Sequence, residues 1–390
     1  MTIIHDDCFN ALNMLDENSI DSLVTDPPAG ISFMGKKWDD DRGGRNNWIT
    51  WMTMIMKKCH RTMKPGAHGL VWAIPRTSHW TAIALENAGF EIRDVVTHLF
   101  GSGFPKSLDI SKSIDKQAGV DREVVGERED FVKKRNKNSK RFKNSIQENI
   151  HSGMKPEGMG IITAPATDLA KQWDGWGTAL KPASEHWILI RKKIINKTVA
   201  ENVQDYGTGG INIDAYRIGK EILPEIKAGQ AKIGTFKRTD MLTPERQGRF
   251  PANLVLSGDA PEMLDEQSGI LKQGGASRFF YCAKASKADR NSGLEGMSKK
   301  EVHRYNAGIG RVKTRDAPTL DQNTHPTVKP NKLMKYLITL ITPPNGIVLD
   351  PFAGSGSTLL AAKQLGFDFI GIEKEKEYYE IIKKRLNEST

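Results

Sequence analysis

Residues 346 to 386 constrain the fold more tightly than any other stretch of this chain. GIVLD (346 to 350) is a continuous apolar run too short for a helix, and it reads as a buried strand. A glycine-rich turn, PFAGSG, follows it. STLLAAKQLG (357 to 366) then reads as a helix closed by its glycine, FDFIGIE (367 to 373) as the next strand, and KEKEYYEIIKKRL (374 to 386) as the next helix. Strands separated by single helices must run parallel, so the chain is expected to be α/β with a mostly parallel sheet.

The N-terminal hundred residues have the same construction. IDSLVT (20 to 25) reads as a strand that must stop at Asp26-Pro27-Pro28, because prolines cannot donate to a ladder. Residues 48 to 63 form an apolar-faced helix stopped by Lys64-Pro65-Gly66; HGLVWAIP (68 to 75) is the next strand, and HWTAIALENAG (79 to 89) a helix ending at Gly89. Between the two ends, residues 100 to 325 are rich in Gly, Lys, Arg and Asn, with strand-like pieces at HWILIRKK (186 to 193) and ANLVLSG (252 to 258). A structureless loop of that length does not fit inside a compact domain. The expected organisation is therefore half of the core in 1–100, remaining core strands plus a large basic insertion in 101–324, and the other half of the core in 325–390. No fixed-period repeat is present.

Composition narrows the function classes. No stretch is long and apolar enough to span a bilayer, and MTIIHDDCFNAL lacks the pattern of an export signal, so a cytoplasmic protein without membrane contact is expected. Cys8, Cys59 and Cys282 form no ligand cluster, so neither a disulfide framework nor a metal site is expected. The net charge is +10 and unevenly spread: FVKKRNKNSKRFKNS (131 to 145) carries Lys133, Lys134, Arg135, Lys137, Lys140, Arg141 and Lys143 and no acid. Such a run is either a solvated loop or a segment that tracks a phosphate backbone.

Two turns carry the chemistry. In DPFAGSGST the strand delivers Asp350 to the carboxyl edge of a sheet, Gly354 and Gly356 allow a tight turn close to a ligand, and a helix starts near Ser357. Glu373 ends the following strand, where a carboxylate can accept from both ribose hydroxyls. The turn reads GSGSTL, with leucine where a dinucleotide fingerprint has its third glycine, and Ser357 stands where a P-loop has lysine. The acid at its start suits a cationic ligand better than a pyrophosphate, and S-adenosyl-L-methionine fits. In TDPPAG, Asp26 offers a carboxylate and Pro27 a rigidly directed carbonyl. Two such acceptors on the hydrogens of an exocyclic amino group would free its delocalised lone pair for in-line attack on a sulfonium methyl. Either turn alone also has a plain structural reading.

Together, TDPPAG, HPTVKP (325 to 330) and DPFAGSGST resemble the DNA amino-methyltransferases whose catalytic motif precedes the cofactor motif, the beta class. GISFMGKKWDD (30 to 40), WGTALKPASEHWIL (176 to 189), GGINIDAYRI (209 to 218) and RFFYCAKASKADRN (278 to 291) are similar to a bacterial and phage subset. The resemblance implies a Rossmann-like S-adenosylmethionine-dependent methyltransferase fold with circularly permuted motif order and an inserted target-recognition region. It implies Asp26, Pro27 and Pro28 as the catalytic residues, with Asp26 also near the cofactor. It implies Asp350, Phe352, Gly354, Gly356, Ser357 and Glu373 as the cofactor loop, Asp7 on the adenine side, and Lys329 and Pro330 over the methionine part. The expected activity is methylation of adenine N6 in double-stranded DNA by base flipping, within restriction-modification; the first alternative is N4 of cytosine. RNA or protein-amide methylation, or DNA binding without turnover, are rivals.

Position 29 departs from the pattern: it is Ala where the family has an aromatic residue to stack on the flipped base, leaving Phe33 and Trp38 as stacking candidates. C5-cytosine chemistry has no support, since none of the cysteines follows proline. No nuclease constellation stands out, and dimerisation is an expectation by analogy with the class.

Overall fold

In the computed structural model of the protein, the structure describes residues 1–101, 107–129, 160–223, 225, 232–233, 236–237, 245–269, 275–283, 294, 300–302, 319–321, 323, 325 and 328–387. By its contacts the chain divides into two compact units. The larger comprises 1–101, 184–300 and 321–390, and the smaller 102–183 and 301–320.

The larger unit is built on a nine-stranded sheet. Its strands in chain order are β1 (Thr2–His5), β2 (Ile20–Thr25), β3 (Met63–Ala73), β4 (Phe90–Phe100), β5 (Ser184–Lys192), β6 (Leu254–Ser257), β7 (Tyr281–Ala283), β8 (Ile347–Asp350) and β9 (Asp368–Glu373). They lie in the order β1-β9-β8-β2-β3-β5-β4-β6-β7. Every pairing is parallel except the two made by β5, which runs against β3 and β4. The expected mostly parallel α/β architecture is present.

Helices cover both faces, so the strands are apolar on both sides and alternate residues enter opposite cores. On one face Leu23, Val71, Ile188, Ile190 and Leu349 pack against α1 (Arg45–Thr62) and α2 (Ser78–Asn87) through Trp48, Met52, Ile55, Met56, Ala84 and Leu85. On the other, Val24, Leu70, Trp187, Leu189 and Val348 meet α3 (Asn331–Ile341), α4 (Ser357–Gln364) and α5 (Lys376–Asn387) through Leu333, Leu337, Leu359 and Ile382. Helix α3 alone buries seven side chains, including Met334, Tyr336 and Ile341. At roughly 1.5–3 kcal/mol for each fully buried large apolar side chain, this packing rather than local propensity holds the helix in place.

Several elements differ from the sequence expectation. Lys64-Pro65-Gly66 does not separate α1 from the next strand; α1 ends at Thr62 and β3 begins at Met63. Ile20 pairs with Met63 and Ser22 with His68, so the proline sits in a bulge where no ladder donor is required. The Pro65 carbonyl instead accepts from Asn202 Nδ2 (2.8 Å) and Thr208 Oγ1 (2.6 Å). β4 has no counterpart among the predicted strands, and its register shifts between Ile92 and Asp94. Cys8, Cys59 and Cys282 are free thiols, the first two buried.

The smaller unit contains a helix, Ile110–Ala118, capped by Asp109 and closed by Gly119 in the left-handed region, and an antiparallel pair, Val124–Glu127 with Ile161–Thr163. The Asp115 carboxylate accepts from the Ala166 and Thr167 amides, the Thr167 hydroxyl and Arg122 Nη1, at 2.8–3.0 Å. Lys133, Lys134, Arg135, Lys137, Lys140, Arg141 and Lys143 lie outside the described residues. Among the described residues no helix is long and apolar enough to cross a membrane.

Candidate active site at the carboxyl ends of the central strands

β2 and β8 are separated by more than 300 residues of chain yet lie side by side, Val348 opposite Ser22 and Leu349 opposite Leu23. Because the two strands are parallel, both motif turns leave the same edge of the sheet. Thr25 Oγ1 donates to Asp350 Oδ1 at 2.7 Å, tying the last residue before the Asp-Pro-Pro turn to the first acid of the glycine loop. β9 brings Glu373 to the same edge, with Asp350 opposite Gly371 one strand away.

The glycine loop is shaped around Glu373. Gly354 takes φ +55 and donates its N–H to Glu373 Oε2 at 2.7 Å, while the Glu375 amide donates to Oε1 at 2.7 Å. A Cβ on Gly354 would come within 2.8 Å of His325 Nε2. Gly356, at φ +78, precedes Ser357, the first residue of α4. Phe352 is half-buried, 6.0 Å ring to ring from Trp51, and packs on the core; its backbone N–H donates to Asp350. Asp7 caps the short helix Cys8–Ala11 and contacts Lys374 Nζ at 3.0 Å; β1 pairs with β9, His5 opposite Glu373, which sets Asp7 at the flank of the same edge. Burial pushes its carboxyl up, but the Phe9 amide and Lys374 outweigh that and hold it below the usual range.

The electrostatics of the edge are unusual for its burial. Burial pushes the Asp350 carboxyl up to about 6, against hydrogen bonds from Thr358, Thr25 and the Phe352 amide. It pushes Glu373 up to about 7 despite its two amide donors, and Asp26 up to about 6 despite the Lys329 ammonium. Three carboxylates thus converge with too little positive charge between them, which is the donor chemistry expected of a site for a ligand that brings cationic groups and hydroxyls of its own. The methyl donor inferred from the sequence fits this donor set: Glu373, with one amide on each oxygen, keeps lone pairs that could accept from a ribose, and Asp350 and Asp26 add carboxylates suited to a cationic ligand.

Asp26 is partly buried, beside the buried Pro27 and half-buried Pro28. Lys329 Nζ lies 3.2 Å from Asp26 Oδ2, 3.8 Å from Glu185 Oε1 and 4.0 Å from the centre of the Trp72 ring. Its ammonium is therefore engaged at the Asp26 turn.

The loop after Pro28 is pinned by Asp39, which the sequence reading did not single out. This carboxylate, 2% exposed, accepts from the Ala29 and Gly30 amides at 2.6 and 3.0 Å and from the Phe33 amide at 2.8 Å. Thr77 Oγ1 donates to the Ala29 carbonyl at 3.1 Å, so position 29 is held from both sides. Trp38 lies nearly parallel to His325, centroids 6.2 Å apart, and His325 meets Tyr378 edge-on at 4.5 Å. Trp38 is thus committed to the side of the loop next to Gly354, while Phe33 sits in the turn that Asp39 fixes. Glu185, His98, Thr25 and Trp72 also join the site without having been predicted; Glu185 stood in a motif-like string, but nothing in a single sequence marks which of its residues reaches Lys329.

The sequence profile of a DNA methylase family, that of the N6/N4 methyltransferases, matches residues 20–384. The chain is 54% identical over 63 residues to the type II methyltransferase M2.LlaDCHI of Lactococcus lactis subsp. cremoris, covering 16% of this chain and 23% of that protein. It is 34% identical over 115 residues to the type II methyltransferase M.HinfI of Haemophilus influenzae, covering 28% and 32%. The matches thus span about a quarter to a third of these curated relatives' length. Among solved structures, PvuII DNA methyltransferase (cytosine-N4-specific) superposes with a TM-score of 0.45 at 13% identity, over 98% of this chain and 85% of that one. On the extent of the family profile, which takes in both motif turns and every strand of the sheet but β1, the chain belongs to the N6/N4 DNA methylase family.

Proposed function

We propose that the chain is an S-adenosyl-L-methionine-dependent methyltransferase that modifies N6 of adenine in double-stranded DNA. The observation that carries this reading is the convergence of Asp26, Asp350 and Glu373 on one edge of the sheet, all three held above the usual carboxylate range by burial. When bound, the cofactor supplies a methyl group on a positively charged sulfur. Glu373 accepts from its ribose, Asp350 orders the glycine loop through the Phe352 amide, and Asp7 borders its adenine side.

The target base is extruded from the duplex into the same edge, at a cost of a few kcal/mol. Asp26 and the Pro27 carbonyl accept the two amino hydrogens, which pulls the nitrogen toward tetrahedral geometry. On transfer of that methyl group the nitrogen would give up one proton, and the Asp26 carboxylate, its pKa raised to about 6, would be placed to take it. Ala29 offers no ring for stacking. Phe33 and Trp38 are the candidates for that task. The basic run 131 to 145 follows phosphates.

The test is transfer of labelled methyl to duplex DNA, to RNA of the same sequence and to protein, with Asp26→Ala alongside. Label in duplex DNA that disappears in the variant is the expected result; label in RNA or protein alone refutes the reading of substrate.

A further inference from the structure

We propose that Glu185 is a positioning residue for Asp26: it draws the Lys329 ammonium partly away, so that the Asp26 carboxylate is held in place without being fully taken up by the lysine. The inference rests on the reading of Asp26 as the acceptor of the target amino group.

The geometry is a lateral chain across five consecutive strands of the sheet, β2, β3, β5, β4 and β6. Asp26 follows β2, Trp72 is on β3, Glu185 on β5, His98 on β4 and Ser257 on β6. Lys329 lies over them, its side chain 9% exposed, with Asp26 and Glu185 on two sides and the Trp72 ring beneath. An ammonium with one carboxylate partner would close on it; with two it is shared. Glu185 is tethered from behind: it is the direct cross-strand partner of His98, whose Nδ1 lies 3.5 Å from Glu185 Oε2. His98 Nε2 in turn lies 2.7 Å from Ser257 Oγ.

The two acids are shifted in opposite senses. Burial raises both, but Lys329 and His98 lower Glu185 below the usual carboxylate range, while Asp26, lowered by Lys329 and raised by Glu185 and Asp350, stays above it. The groups facing Asp26 are thus Lys329, Glu185 and Asp350, and those facing Glu185 are Lys329, His98 and Trp72.

The experiment is a carboxyl 13C titration of Asp26 in the full-length ligand-free protein labelled at aspartate, the signal assigned with Asp26→Asn. Glu185→Gln removes the repulsion and returns the ammonium to Asp26, so the Asp26 midpoint moves down by about one pH unit. Lys329→Met moves it up by at least as much. His98→Gln frees Glu185 to engage Lys329 fully, and also moves the Asp26 midpoint up; this variant keeps the test open if Glu185→Gln does not fold. An unmoved or raised midpoint in Glu185→Gln, or an unmoved or lowered one in His98→Gln, overturns the proposal. The titration needs no turnover, so it stands apart from the assignment of substrate. In a methyl-transfer assay at saturating DNA and cofactor, the acid limb of kcat follows the same shifts while KM for cofactor stays within a few-fold; a shifted titration with an unshifted kcat limb also overturns it.

Discussion

Asp39→Asn separates the architecture of the catalytic loop from its chemistry, because among the described residues the Asp39 carboxylate hydrogen-bonds to backbone amides of the loop. The carboxylate holds three amides, Ala29 and Gly30 on Oδ1 and Phe33 on Oδ2. Asparagine has a single acceptor oxygen. If it keeps the first two amides, its NH2 points at the Phe33 N–H, and that bond is lost outright. A hydrogen bond to an ionised group contributes about 1.5–3 kcal/mol and a neutral one about 1 kcal/mol. One lost and two weakened bonds therefore come to roughly 2.5–7 kcal/mol, in a site that is 2% exposed and cannot recruit bulk water. Part of this loss appears as a lower urea midpoint, and part as local release of the loop from Ala29 to Asp39. Because a displacement of about 1 Å at a reacting group can cost 10²-fold, kcat for methyl transfer falls by on the order of 10², with cofactor affinity nearly unchanged. A variant with the wild-type urea midpoint and undiminished kcat would refute the reasoning.

Further consequences follow from the same edge of the sheet. Gly354→Ala puts a Cβ at φ +55 and within 2.8 Å of His325 Nε2, so cofactor affinity measured by calorimetry drops at least tenfold. Glu373 moves from an ordinary value of 4.5 to about 7 on folding, a difference worth roughly 3 kcal/mol at most. Its contribution to the ligand-free protein is fully present below pH 4.5 and is lost as pH rises through 7; Asp26 and Asp350, raised from 3.8 to about 6, act in the same sense. The slope of melting temperature against pH between 5 and 7.5 is therefore more positive in Glu373→Gln than in the wild type; identical slopes would contradict this. Changing Lys133, Lys134, Arg135 and Lys137 to Gln makes the dependence of log DNA affinity on log salt shallower by up to roughly 3–4, with sequence preference unchanged; an unchanged slope would remove that segment from the DNA contact.

The regular parts of the fold were legible where one local signal dominated. IDSLVT and GIVLD are short apolar runs closed by breakers, and Ile20–Thr25 and Ile347–Asp350 are the strands found. β4 escaped because Arg93 and Asp94 interrupt its apolar pattern at a point where its register shifts. Lys64-Pro65-Gly66 misled for the complementary reason, since a proline is harmless where the partner strand requires no donor. Asp26 and Asp350 could be named because each stands at the end of a strand next to a proline, and Glu373 because it ends the strand that follows the glycine-rich turn. Glu185, His98 and Ser257 could not: their meeting depends on the lateral order β3-β5-β4-β6, which no spacing in the chain encodes. Asp39 was equally hidden, as nothing local distinguishes it from Asp40, yet one is buried on three amides and the other is partly exposed.

The central claim is most directly tested by the identity of the methylated nucleoside. Unmethylated duplex DNA is incubated with the protein and methyl-labelled S-adenosyl-L-methionine, digested, and resolved by mass, with Asp26→Ala in parallel. Label in N6-methyldeoxyadenosine, absent from the variant, is the predicted result. Label in N4-methyldeoxycytidine would contradict the choice of base while leaving Asp26 its role, and label in neither would contradict the proposed activity on DNA.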